Sequence, residues 1–290
     1  MLVSVYMPTR NRVGLLRRAM ESVLKQTYTS IELIVVNDGS SDGTRAYLDA
    51  LQASDERIKA IHNEISVGAS RARNQAIMAA SGELVTGLDD DDYFHPRRVE
   101  TLAAHWLSPR DPNQPVSCLF TQDVLANGAR TSVTSKPRTV NADDLFFYNV
   151  IGNQVFTRRE YLIQAGLYDE KLPAWQDLDV FIRILKKFGP AMLVDAALYT
   201  LSLEPRADRI SMIAKSKILS SYYRICEKHT QLPPIMRQGL FLQVFGRLYG
   251  FSLGYLDMLE FFRHGVHPRT LKSLTRIFMR QVSGFHGLSR

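Results

Sequence analysis

Over its first hundred positions the chain carries short apolar runs at regular intervals, and the stretches between them switch to a helical period. Leu2–Met7 is an apolar strand that ends at Pro8. Asn11 then stands where it can cap a helix, with Leu16, Met20, Val23 and Leu24 recurring at helical spacing. Ile31–Val36 is a β-branched run followed by the turn Asn37-Asp38-Gly39-Ser40-Ser41-Asp42-Gly43. A helix over Thr44–Leu51, a strand near Ile58–His62, a helix over Gly68–Ala80 and a strand at Leu84–Leu88 continue the alternation. Pro96 suits the first residue of a helix running to Trp106. Strands separated by helices of this length predict an α/β fold, a Rossmann-like and mostly parallel central sheet with helices on both faces.

The pattern changes twice. The segment 108–115, with three prolines, reads as a boundary loop. Beyond it, strands at Val116–Val124, Val155–Thr157 and Ala191–Val194 mix with helices, the clearest over Asp177–Phe188. After Pro205 the chain reads as helical and rich in Phe, Tyr and Leu. These shifts divide the chain into residues 1–110, 111–205 and a helical C-terminal extension over 206–290, without an internal repeat.

Charge sharpens that division. Of a net +7, six positive charges (Arg263, Arg269, Lys272, Arg276, Arg280 and Arg290) lie in residues 261–290, which hold no Asp or Glu. The spacing of three and four in the helix near Thr270–Val282 makes it basic and amphipathic. That suits an anionic membrane surface, or a helix docked on its own protein with a solvated basic face. Nothing in residues 1–204 supports nucleic-acid binding. The apolar stretch Gly239–Phe262 is interrupted by Arg247, Asp257 and Glu260, so it is not read as a membrane span. The N-terminus reads as a strand rather than a signal peptide, and two cysteines, Cys118 and Cys226, suit a reducing compartment.

Ligands of parallel sheets bind at the carboxyl ends of the strands. Here those ends read Pro8-Thr9-Arg10-Asn11, Asn37-Asp38-Gly39-Ser40 and Asp89-Asp90-Asp91-Asp92. Four consecutive aspartates repel one another unless a cation or a set of donors neutralises them. Mg²⁺ or Mn²⁺ fits such oxygen ligands and leaves positions for phosphates, whereas an acidic turn capping the next helix needs only one or two carboxylates. Asp38 at its strand end can accept from a base N–H, or can serve a turn. Arg71 and Arg73, two apart on one helix, face different ways, so one can face the pocket while the other is solvated. No G-x-G-x-x-G or Walker-type loop follows any strand. Asp177, in the first turn of its helix beside Trp175, reads either as a general base or as a charge favoured by the helix dipole. Asp179 and Arg183 are spaced as a surface ion pair.

Taken together, the runs VSVYMPTRNRVGLLRRAMESVLKQTYTSIELIVVNDGSSDGT and NEISVGASRARNQAIMAASGELVTGLDDDDYFHP resemble the inverting family 2 glycosyltransferases with the GT-A fold, of the bacterial surface-polysaccharide type. The resemblance is dense over residues 2–105, sparser to 204 and weak beyond. It implies that residues 1–110 bind the nucleotide sugar and 111–205 the acceptor. Pro8, Thr9 and Arg10 would line the nucleotide pocket, Asp38 would accept from uracil N3–H, and Arg71 would reach the base or phosphates. The family's D-x-D falls on Asp89 and Asp91, with Asp89 near the ribose or donor sugar, Asp91 on the metal, and Asp90 within the same nucleotide-sugar site. Its E-D pair, whose Asp is the catalytic base, matches Gln176-Asp177, with Gln replacing Glu.

The implied reaction is a metal-dependent inverting transfer from a nucleotide sugar, a UDP-sugar by family weighting, to a saccharide hydroxyl. Trp175, Asn153 and Gln154 are candidate acceptor contacts. With a membrane-bound tail, a lipid-linked acceptor at the cytoplasmic face of the inner membrane is the economical expectation. Two rivals stand beside it. A nucleotidyltransferase would carry a glycine-rich basic loop where PTRNR has no glycine; a non-catalytic binding protein of the same fold is hinted at by Gln176 alone.

Overall fold

The computed structural model describes residues 1–108, 115–203, 213–246 and 249–282. The boundary-loop residues 109–114 and the last tail residues, Arg290 included, lie outside these. The N-terminal part runs β1 (Val3–Thr9), α1 (Val13–Leu24), β2 (Ile31–Asp38), α2 (Thr44–Ser54), β3 (Ile58–Asn63), α3 (Ala69–Ala79), β4 (Leu84–Gly87), β5 (Tyr93–Phe94) and α4 (Arg98–Leu107). The middle adds β6 (Cys118–Asn127), β7 (Arg130–Val133), β8 (Thr139–Val140), a 3-10 turn at Ala142–Phe146, β9 (Phe156–Arg158), α5 (Arg159–Gln164), α6 (Gln176–Phe188) and β10 (Ala191–Ser202). Among the described residues α7 (Lys215–Lys228), α8 (Pro234–Gln243), α9 (Tyr255–Phe262) and α10 (Pro268–Val282) follow.

The strands form one sheet in the order β3-β2-β1-β4-β9-β6-β10-β5, with β7 and β8 paired off this path. Its long ladders, β1 with β2, β2 with β3 and β6 with β10, are parallel; β9, inserted between β4 and β6, is antiparallel to both. The sheet is mostly parallel, as the alternation predicts.

Helices cover both faces because successive strand residues point opposite ways. Val3, Val5 and Met7 of β1 pack with Leu16, Met20 and Val23 of α1, Leu48 of α2 and Leu102 of α4. Tyr6, with Ile34 and Val36 of β2, faces Ala72, Ala76 and Ile77 of α3. Burial on both sides explains why β1 and β2 read as continuous apolar runs rather than alternating ones. The extension shares the second core: Tyr222 of α7, Phe241 of α8, Phe261 of α9 and Leu274 of α10 join Leu178 and Phe181 of α6.

Local expectations shift in three places. Asn11 does not cap α1: it takes a left-handed φ of 52°, Arg12 holds the cap position, and the first N–H of α1, on Val13, donates to Asp42 of the next loop at 3.2 Å. Pro96 lies in the turn before α4, where its carbonyl accepts from the Thr27 N–H at 2.9 Å. Asp179 is not a surface residue. It is fully buried, and its carboxylate meets Arg183 at 2.8 Å and Lys228 of α7 at 2.9 Å, fastening the extension to α6.

Candidate active site

The parallel register brings the ends of β2, β1 and β4 to one edge, with β1 in the centre. Pro8 there is half-buried, Thr9 is buried and Arg10 is exposed. The four aspartates that follow β4 alternate. Asp90 and Asp92 are buried; Asp89 and Asp91 stay half-buried.

Each buried member has partners inside the protein. Asp90 accepts from the Thr9 hydroxyl at 2.7 Å and from Arg12 at 3.0 Å. Burial pushes its carboxyl up to about 6, against the lowering effect of Arg12. Asp92 accepts from the Tyr199 hydroxyl and the Ser202 N–H, both at 2.9 Å; burial together with Asp91 and Asp89 raises it well above the carboxylate range. Asp90 and Thr9 therefore join β1 to the aspartate run. The half-buried pair, Asp89 and Asp91, is the pair left at the rim, in D-x-D spacing.

Asp89 is held by three donors: Arg73 at 2.8 Å, Gln154 at 3.2 Å and Asn153 at 3.3 Å. Arg73 is buried under the site, its guanidinium 5.6 Å from the centre of the Tyr168 ring, whereas Arg71 is exposed. The pattern held the signal: Arg73, Ala76, Ile77 and Ala80 follow one helical stripe that Arg71 does not share. Gln154 also accepts from the Tyr6 hydroxyl at 3.2 Å, and its side chain fills the space over Gly87 so closely that a Cβ there would fall 1.8 Å from Gln154 Oε1.

Asp38 is saturated. It accepts from the Val67 N–H at 2.8 Å, the Gly68 N–H at 2.9 Å, the Ser66 hydroxyl at 2.7 Å and Asn63 at 3.0 Å, about the four acceptor positions a carboxylate offers. Burial alone would raise its carboxyl, but these donors outweigh it and hold it below the usual value. The loop they fasten packs against Gly39, whose φ of +67° and 2.6 Å Cβ approach to the Ser66 nitrogen require glycine. Any base N–H reaching Asp38 must displace one of these donors.

Asp177 enters from the other side, in the first turn of α6. Trp175, at the cap position before it, has left-handed backbone angles (φ 60°, ψ 27°), a costly conformation for a bulky residue. Its indole is buried in the core and its N–H donates to the Tyr249 hydroxyl at 2.9 Å, so it is not a free stacking platform. Gln176 bonds back to the Leu172 carbonyl at 3.1 Å. Burial pushes the Asp177 carboxyl up to about 6, with Leu178 N–H and Arg73 lowering it and Asp89 raising it.

The segment 149–154 spans the two sides. Asn149 donates to Asp177 at 3.2 Å, while Asn153 and Gln154 donate to Asp89. Its middle is pinned by Lys136, which donates to the Ile151 carbonyl at 2.8 Å and pairs with Asp123 at 2.6 Å. Asn153 and Gln154 are thus engaged with Asp89. Asn149 and Lys136 were not predicted; a lone amide and a lone lysine in a strand-poor stretch carry no distinguishing spacing.

Among the described residues no group of three or more His, Cys, Asp or Glu is arranged to hold a metal. Two rim carboxylates beside a buried arginine nevertheless suit a ligand that brings its own phosphate oxygens.

The chain is similar to known proteins in sequence and in fold. The sequence model of glycosyl transferase family 2 matches residues 4–162. The chain is 37% identical over 235 residues to a putative colanic acid biosynthesis glycosyl transferase, WcaA, of Escherichia coli K12, covering 79% of this chain and 81% of that protein. It is 44% identical over 99 residues to the E. coli UDP-Glc:alpha-D-GlcNAc-diphosphoundecaprenol beta-1,3-glucosyltransferase WfgD, covering 34% and 38%. The crystal structure of S. aureus TarS 1-349 with UDP shares the fold, with a TM-score of 0.66 at 20% identity over 93% of this chain and 77% of that one.

Proposed function

From the premise that the chain belongs to glycosyl transferase family 2 and is a glycosyltransferase of polysaccharide biosynthesis, we propose that it moves a sugar, with inversion, from a UDP-sugar to a hydroxyl of a lipid-linked saccharide. The observation that carries this reading is segment 149–154, which ties the rim carboxylate Asp89 to the opposing carboxylate Asp177. WfgD, whose name specifies a UDP-sugar donor and a diphosphoundecaprenol acceptor, supports the substrate classes. Residues 1–110 take the donor, 111–205 the acceptor, and 206–290 form the extension, at the cytoplasmic face of the inner membrane.

In this mechanism Asp177 is the general base. With its carboxyl near 6 it is ionised at neutral pH yet close enough in basicity to take a hydroxyl proton. The acceptor oxygen attacks the anomeric carbon opposite the nucleotide, the glycosidic C–O bond breaks, and an α-linked donor gives a β-linked product. Arg73 supplies a fixed positive charge behind Asp89 as negative charge gathers on the leaving UDP. Asp89 and Asp91 would hold a divalent cation, Mg²⁺ or Mn²⁺, that keeps waters and takes diphosphate oxygens; when bound it neutralises charge on the leaving group. Asp38 keeps the Asn63–Gly68 loop in place along the base side of the pocket, and Pro8, Arg10 and Arg71 border it.

Calorimetry of UDP with and without Mn²⁺ tests the donor half. Binding should require the metal and weaken at least about tenfold in Asp91→Ala. Binding indifferent to both metal and Asp91 would remove the metal-assisted donor site.

A further inference from the structure

The extension has a surface unlike the rest of the molecule. Of the sixteen large apolar side chains that stand exposed among the described residues, eight fall between positions 255 and 279. Tyr255, Leu256, Leu259 and Phe262 belong to α9, and Phe278 and Met279 to α10; Tyr255 and Leu256 are 76% and 77% exposed. They are not the stripe that docks α10. That stripe is Leu274 and Ile277, packed into the core, with the Thr270 hydroxyl bonded to Gln238 of α8 at 2.6 Å. The sequence expectation of a basic helix with one apolar side therefore divides: the docked side is occupied, and a second apolar set stands outside.

Cations are interleaved with that set. Arg263, Arg269, Lys272 and Arg276 are exposed and residues 261–282 contain no acid; the two acids of α9 are paired, Asp257 with Lys215 at 2.6 Å and Glu260 with Arg263 at 3.7 Å, so the surface keeps a positive excess. A merely solvated face does not need eight exposed apolar side chains, and a nucleic acid offers them no apolar phase. A second copy of this chain would bring the same cations into opposition. Apolar side chains ringed by basic ones match the boundary between the acyl chains and headgroups of an anionic bilayer. No helix among the described residues is long and apolar enough to cross a membrane, so the fit is to a surface.

We infer that α9, α10 and the turn between them form a monotopic docking surface for an anionic lipid bilayer, with Tyr255, Leu256, Leu259 and Phe262 inserted and Arg263, Lys272 and Arg276 on the headgroups. This deepens, and rests on, the membrane-proximal part of the function proposed above. The segment that leads into α9 supplies the Tyr249 hydroxyl that accepts from the Trp175 indole N–H, two residues before Asp177.

The test uses the whole chain in co-sedimentation with phosphatidylcholine vesicles, with or without phosphatidylglycerol. The wild type should bind only the anionic vesicles, more weakly as salt rises. Leu256→Glu with Leu259→Glu should reduce partitioning at least about tenfold, and Lys272→Gln with Arg276→Gln should reduce it and flatten the salt dependence. UDP binding on the same samples checks that each variant is folded. Absence of vesicle binding, or binding that neither variant changes, overturns the inference. So does self-association of the wild type that the leucine variant abolishes without any lipid binding. Vesicle binding without sugar transfer would instead overturn the transferase reading and leave the docking surface standing.

Discussion

Asp38 and Asp177 are the same residue placed on opposite sides of one pocket, and the protein treats them in opposite ways. At the end of β2, four donors surround Asp38, outweigh its burial and hold it below its ordinary value. At the start of α6, burial wins over the Leu178 N–H and the Arg73 charge and pushes Asp177 up to about 6, with Asn149 donating to it at 3.2 Å. A carboxylate whose donors outweigh burial stays ionised and suits a wall; one that burial raises suits, on the function proposed above, a group that takes a proton. The balance of donors against burial sets the two carboxylates apart.

The largest effect that sharpens this contrast is on Asp177→Asn. Transfer should fall by about 10²–10⁴-fold while UDP binding persists, measured by product formation and calorimetry. The same variant should be more stable than the wild type. A group whose carboxyl is raised on folding stabilises the fold below its unfolded value and loses that contribution as pH rises through about 6. The gain, about 1–2 kcal/mol above pH 6 and vanishing toward acid, is read from urea melts across pH.

Arg73→Ala comes next. It leaves Asp89 half-buried beside two neutral amides, at a cost of about 3 kcal/mol in stability and a loss of metal-dependent UDP binding, whereas Arg71→Ala should change stability by less than about 0.5 kcal/mol. Equal effects of the two would break the assignment of Arg73 to the site. Asp38→Ala abandons four donors and should cost about 1–3 kcal/mol. Because its carboxyl is lowered on folding, the ionised group's contribution is present above the unfolded value and lost as pH falls through the folded one. Wild type and variant should therefore converge in acid. Among the residues of the site the smallest effect on transfer is expected for Asn149→Ala, a fall in kcat of about tenfold with donor KM unchanged.

The alternation of strand and helix over residues 2–105 was legible because the apolar runs of β1, β2 and β4 are buried on both faces, while the edge strand β3, half-exposed beyond Ile58, shows only through its place in the alternation. The acidic strand end stood out in the sequence because four adjacent aspartates exceed the one or two that a helix cap needs; two of them, Asp90 and Asp92, have partners inside the protein. Which two stay at the rim came only from the resemblance, whose D-x-D falls on Asp89 and Asp91; pattern alone does not give it, since it depends on where the chain turns after β4 and on Thr9, Arg12 and Tyr199, remote in sequence. Asp179 was misread because only its i,i+4 partner is visible locally, and Lys228, 49 residues on, is not. Trp175 gives no sign in sequence that its backbone is left-handed or that its indole N–H is committed to Tyr249. Short-range pattern reveals elements and charge density; partners brought together by the sheet decide which of those charges act.

The most direct test of the central claim is proton NMR of the product from a panel of α-linked UDP-sugars and diphosphate-lipid saccharides, using wild type and Asp177→Asn. A β-linked product from the wild type, absent with the variant at equal UDP binding, is the predicted result. An α-linked product, or transfer that survives the loss of the Asp177 carboxylate, would contradict the account.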